Sequence, residues 1–303
     1  MKRKVNKVGS NTLTVSLPNR WVKYLDLKPG DELNLYEDGI QLIISPEDIN
    51  INDTLEMDLS IDSDDKTYVR SLLGALYRKG YDVLHIRYEK EETFRILRDC
   101  VNYLIGFEIM ETKPNFCVIE GMLTESEQEF QNTLHKIVNV VKTSSQLTFE
   151  DYNKSTFEHL DDMEDYRYTA WKLRDYAIRI LNKKKIFSEV NSAYVTILWT
   201  LEKINRDYKR IYEELNNKEI NYSEDIKNYL GTVNEFFLYF TKNISSDEIE
   251  KLNKIHHNYK KYLKEGAYLL EKKQEEVVVI HLLMNVVNRI QDMSSALFIK
   301  NLK

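Results

Sequence analysis

The sequence predicts a multidomain α+β protein with a small β head, a small α/β layer and an all-α tail of tandem three-helix bundles. Three observations predict it. All four prolines (Pro18, Pro29, Pro46, Pro114) and seven of the nine glycines lie before residue 122. Apolar residues alternate in short runs up to about that point, then recur at helical spacing to the end. The charge divides too: the first 23 residues carry Lys2, Arg3, Lys4, Lys7, Arg20 and Lys23 with no acid, leaving 37 bases against 49 acids in the rest. The expected domains are 1–47, 48–122 and 123–303.

The head reads from its first residues. Lys4 to Val8 and Leu13 to Leu17 alternate as two half-buried strands around Gly9-Ser10-Asn11, and Pro18 closes the second. Asn19 opens a short helix through Trp21, Val22 and Leu25. Lys28-Pro29-Gly30-Asp31 then turns the chain into two more strands carrying Leu33, Leu35, Ile40, Leu42 and Ile43. A β-β-α-β-β unit this small can hardly bury Trp21, Leu25, Leu33 and Leu35 alone, so it is expected to share a core with a second copy.

Three pieces, Lys4-Val5-Asn6-Lys7-Val8-Gly9, Thr14 through Val22, and Leu27-Lys28-Pro29-Gly30-Asp31, closely resemble the AbrB/SpoVT swapped-hairpin domain. The resemblance implies a homodimer that binds double-stranded DNA through basic residues of the first hairpin and its loop. Arg3, Lys4, Lys7, Asn11 and Arg20 would be the contacts, with Lys2 and Lys23 more peripheral. Lysine and arginine donate to phosphates, so such affinity falls steeply with salt. The alternative is a solvated basic face on a module that only dimerises.

Residues 48–122 read as a strand at Leu55 to Ile61, a helix from Asp64 to Lys79 stopped by Gly80, and a strand at Val83 to Arg87. A helix from Glu91 to Tyr103 and strands at Gly106 to Glu111 and Asn115 to Gly121 follow. No P-loop, Gly-x-Gly-x-x-Gly or nucleophile elbow occurs, so no catalytic activity is expected. The runs Tyr77 to Asp82 and Gly106 to Ile109 resemble the linker between an AbrB-like head and a PhoU-like tail in archaeal proteins.

In the tail, Thr124 with Glu127, Asn221 with Glu224 and Ser245 with Glu248 read as capping boxes, and Thr148 as the start of a longer helix through Leu160 to Leu181. The pattern is three helices twice, over about 124–215 and 221–300. Leu201-Glu202-Lys203-Ile204 and Val287-Asn288-Arg289-Ile290 sit alike in the third members, about 86 residues apart. The tail thereby resembles the PhoU family of phosphate-uptake regulators, which implies a role in phosphate homeostasis and a phosphate transporter or signalling protein as partner. That family often holds metal clusters through acids four apart on a helix. Here only Glu202 and Asp292 keep that pattern, with Arg206 and Asn288 in the other places, so metal binding is expected to be weakened or lost and no cofactor is expected. Glu158, Asp162 and Asp165 form a further acidic face that reads as solvated helix surface. His85, His256 and His257, and Trp171, Trp199 and the tail tyrosines, read as structural.

Membrane insertion is not expected: no apolar run approaches the roughly 20 residues needed to span a bilayer. The basic start lacks an apolar h-region, which predicts a cytoplasmic protein. Cys100 and Cys117 have no His or Cys beside them at metal-ligand spacing and read as packing residues.

Overall fold

The computed structural model describes residues 2–9, 12–38, 41–45, 54–123, 125–184, 190–217, 222–244 and 249–301. The chain forms two compact units, 1–53 and 54–303.

In the first unit, β1 (Val5–Val8) pairs antiparallel with β2 (Thr12–Val15), with Val5 opposite Val15 and Lys7 opposite Leu13. Gly9, with φ of 69°, turns the chain after β1 in a conformation that costs glycine little. Pro18 stands at the N-cap of α1 (Asn19–Tyr24), where its carbonyl accepts from the Trp21 and Val22 amides. An antiparallel pair follows, β3 (Asn34–Asp38) with β4 (Gln41–Ser45). The expected β-β-α-β-β order is what forms. No described side chain of this unit is buried; Val5 is 64% exposed and Leu13 70%. Among the described residues a single copy therefore has no hydrophobic core.

The second unit begins with a four-stranded sheet in the order β5-β6-β8-β7. Here β5 (Glu56–Ser60) runs parallel to β6 (Val83–Arg87), while β7 (Phe107–Lys113) and β8 (Phe116–Gly121) complete it antiparallel. The β5–β6 crossover is α2 (Lys66–Lys79). The Asp65 side chain caps it by accepting from the Thr67 and Tyr68 amides, and Gly80 at φ 102° ends it. The second layer helix is α3 (Glu91–Val101).

Six long helices follow: α4 (Glu127–Lys154), α5 (Leu160–Lys184), α6 (Asn191–Leu215), α7 (Glu224–Asn243), α8 (Ile249–Lys272) and α9 (Val277–Asn301). The third members of the two triplets, α6 and α9, pack along each other, and α4 packs on α7. One continuous apolar core runs from the sheet through all six helices.

Several sequence expectations shift. Ser126 rather than Thr124 caps α4, accepting the Glu129 amide at 3.1 Å; Thr124 itself lies outside the described residues. Thr148 does not start a helix but is buried within α4, bonding back to the Ser144 carbonyl. The break falls at Ser155, which takes the left-handed conformation at φ 54°. Glu158 thus precedes α5 and shares no helical face with Asp162 and Asp165. Ser223 stands at the N-cap of α7, its hydroxyl and amide both donating to the Glu276 carboxylate; Asn221, Ser245 and Glu248 are outside the described residues.

The Ser155 break is held by a small polar cluster. The Tyr212 hydroxyl donates to Asp151 Oδ2 at 2.6 Å and accepts the His159 amide at 2.8 Å, while His159 Nδ1 lies 2.7 Å from the same carboxylate oxygen. The hydrogen bond to Asp151 is the main reason the His159 imidazole sits above its usual pKa of 6.5. A raised histidine contributes stability that is complete below the unfolded value and lost as pH rises through the folded value. The melting-temperature gap between the wild type and His159→Gln is therefore expected to be largest below about pH 6 and to narrow at higher pH. It should stay modest, since the imidazole is 39% exposed. A gap of constant size from pH 5 to 9 would refute this coupling.

Candidate functional site

Among the candidate contacts in the head, Arg3 and Lys4 precede β1, Lys7 lies in it, and Arg20 and Lys23 lie one turn apart in α1. All five are exposed, and none forms an ion pair among the described residues. Asn11 is outside the described residues. The bases do not form one separate side of the hairpin. Lys7 and its partner Leu13 face the same side as Val5 and Val15, while Asn6 and Thr14 face the other, because cross-strand partners share a face. Charge and apolar surface are thus interleaved, which strand alternation could have revealed.

The metal candidates are not brought into a cation site. The Glu202 carboxylate accepts from Arg174 Nη1 at 3.1 Å and both side chains are buried. Asp292 is exposed on α9. Between them the structure places guanidinium groups: Arg206 follows Glu202 by one turn, and Arg289 pairs with the buried Asp207. Burial first, then the neighbouring Arg206, pushes the Arg289 guanidinium below its usual range, while Glu202 and Asp292 oppose that shift. Arginines occupy the charge role a divalent cation would have, so the residues do not fit the metal that the PhoU resemblance brings with it. Among the described residues no group of three or more His, Cys, Asp or Glu is arranged to hold a metal.

Sequence reasoning passed over the buried charges joining the sheet layer to α5. The Arg179 guanidinium is fully buried. It donates to Glu125 at 2.9 Å, to the Tyr77 and Tyr81 carbonyls and to Asp82, and lies over the Tyr77 and Phe107 rings. Burial alone would raise the Asp82 carboxyl, but hydrogen bonds from Lys183 and the Leu55 amide, with Arg179, hold it below the usual carboxylate range. Cys100 and Cys117 are buried thiols, and burial pushes Cys117 up to about 11, which suits packing rather than nucleophilic chemistry.

The chain is thus a two-unit protein: a basic hairpin–helix–hairpin module with no buried side chain among its described residues, ahead of an α/β layer and a helical body. Residues 7–60 match the family model described as antidote-toxin recognition MazE, bacterial antitoxin, a match that begins within β1 and ends with β5. No curated protein and no solved structure matches the chain. No described helix is long and apolar enough to cross a membrane.

Proposed function

We propose that this chain is a regulator of DNA-binding or antitoxin type and, more specifically, a homodimeric transcription regulator. In this reading the head grips double-stranded DNA, and the helical body senses a signal or docks a partner without catalysing a reaction. One observation carries it: a head with six bases and no acid in 23 residues, its described bases exposed and unpaired, of which Lys7, Arg20 and Lys23 fall in the segment matched to the MazE antitoxin model and Lys2, Arg3 and Lys4 directly precede it. Uncovered Val5, Leu13 and Val15 on the hairpin support a second copy as the partner that completes the core. The link to phosphate uptake and its transporter or signalling partner rests on the PhoU-like order of helices alone. A cytoplasmic location accords with this function.

The test is duplex affinity across a salt series for the full chain and for an Arg3→Ala/Lys4→Ala/Lys7→Ala variant. Affinity should fall linearly in log salt, each lost phosphate contact removing roughly 0.9 from the slope, and the variant should bind far more weakly. If wild type and variant are equally indifferent to duplex at low salt, DNA binding is excluded. The head is then a dimerisation device and the body's protein partner carries the function.

A further inference from the structure

We propose that the cleft between α2, α5 and α6 is a binding site for a small, multiply charged phosphate-type anion of the pyrophosphate class. Its volume is ≈ 330 Å³, at the small end of ligand sites. Six bases line it: Arg70 and Arg78 from α2, Arg167 and Arg174 from α5, Lys203 and Arg206 from α6.

The pairing of these bases decides what the cleft can hold. Arg78 is 3.0 Å from Asp175, Arg174 bridges Asp175 and Glu202, and Arg167 is clamped on Glu164. Three acids thus answer three bases. Arg70, Lys203 and Arg206 have no acidic partner among the described residues, and the Arg206 Nε is buried without a hydrogen-bond acceptor. Leaving a charged donor unmet in a half-enclosed site is costly, and a polyanion with several acceptor oxygens removes that cost.

The geometry is set before any ligand arrives. The Arg174 guanidinium stacks 3.8 Å over the Trp199 ring and Arg70 lies 4.8 Å over Trp171. Stacking fixes both guanidinium groups; Asp175 and Glu202 take the edge of Arg174, while that of Arg70 remains for contacts to phosphate oxygens. Gly74 makes the room: a Cβ there would stand 3.1 Å from Arg78 Nη1. Three unanswered charges favour a di- or trianion over a singly charged one, and the small volume favours a free anion over a nucleic-acid backbone. The cleft lies wholly in the second unit, so the proposal is independent of what the head binds.

The test is calorimetric titration of the full chain with sodium pyrophosphate, beside orthophosphate and sulfate, at low salt. Saturable one-site binding is expected, at least tenfold tighter for pyrophosphate than for sulfate. Arg206→Gln should weaken it tenfold or more, Arg206→Lys less, and Arg70→Gln/Lys203→Gln/Arg206→Gln should abolish it. Pyrophosphate should raise the melting temperature of the wild type and leave that of the triple variant unchanged. No binding by the wild type, or equal binding by the triple variant, overturns the proposal. Should the triple variant fail to fold, Lys203→Gln alone, at an exposed position, should weaken binding about threefold, and an unchanged affinity overturns it. Duplex DNA displacing pyrophosphate from a chain with Arg3, Lys4 and Lys7 neutralised would also overturn it, marking the cleft as a nucleic-acid surface.

Discussion

Arg179→Met is expected to destabilise the second unit by about 3–5 kcal/mol, the cost of breaking a buried ion pair from one side. Methionine can fill much of the space between the Tyr77 and Phe107 rings but donates nothing. Of the charged partners of Glu125 and Asp82 only Lys183 would remain, its ammonium 3.7 Å from the Glu125 carboxylate, with the Leu55 amide still on Asp82. The Tyr77 and Tyr81 carbonyls would each lose a donor. Urea denaturation followed by far-UV circular dichroism measures the loss as a lower midpoint at unchanged slope. A loss under about 1 kcal/mol would mean that water or Lys183 replaces the guanidinium, and the network would not be what joins sheet and helix. The depressed Asp82 carboxyl adds a pH signature. Its contribution is present above the unfolded value near 3.8 and disappears as pH falls through the lower folded value, so this part of the acid limb should flatten in Asp82→Asn.

Asn234→Leu is the second large loss, expected at about 2–4 kcal/mol. The side chain bridges α4, α6 and α7: its oxygen accepts from the fully buried Tyr208 hydroxyl at 2.7 Å and its amide donates to the Ser145 carbonyl at 2.8 Å. Leucine is similar in size, so packing changes little. The loss comes from the orphaned Tyr208 hydroxyl, at roughly 1–3 kcal/mol, and from the lost hydrogen bond to the Ser145 carbonyl, which keeps its place in the α4 ladder, at about 1 kcal/mol. Adding Tyr208→Phe removes that orphan, so the double variant should be more stable than Asn234→Leu alone. A double variant as unstable as the sum of the two singles would show that the hydroxyl and amide act independently. Between the same α4 and α6, Ser144 donates to Asn205 at 2.7 Å. These polar pairs lie among aliphatic and aromatic side chains, and they favour one helix register over neighbouring ones that would leave donors unmet.

What was readable in the sequence was local. Strand alternation in Lys4 to Val8 and Leu13 to Leu17, the Gly80 stop and the apolar stripes of α4 to α9 are each set by a few neighbouring residues. The basic head was equally visible, because its charges are clustered in the chain. The misread helix start has a local reason: nothing in Lys154-Ser155-Thr156 is a Gly or Pro, so no residue announced the break. Asp151, His159 and Tyr212 hold it instead, with Tyr212 61 residues from Asp151.

The sequence by itself determined the order of the described elements and the basic head, since periodicity, turn residues and charge clusters act over a few positions. Only the tertiary structure decided which charges meet. Arg179 finds Asp82 across 97 residues, Arg78 finds Asp175 across another 97, and Arg174 finds Glu202 across 28. In the sequence these are scattered charges on amphipathic helices, indistinguishable from solvated ones. Packing buries some against acids and leaves Arg70, Lys203 and Arg206 unanswered, because burial and distance set the energy of a charge and neither is a property of the chain before it folds.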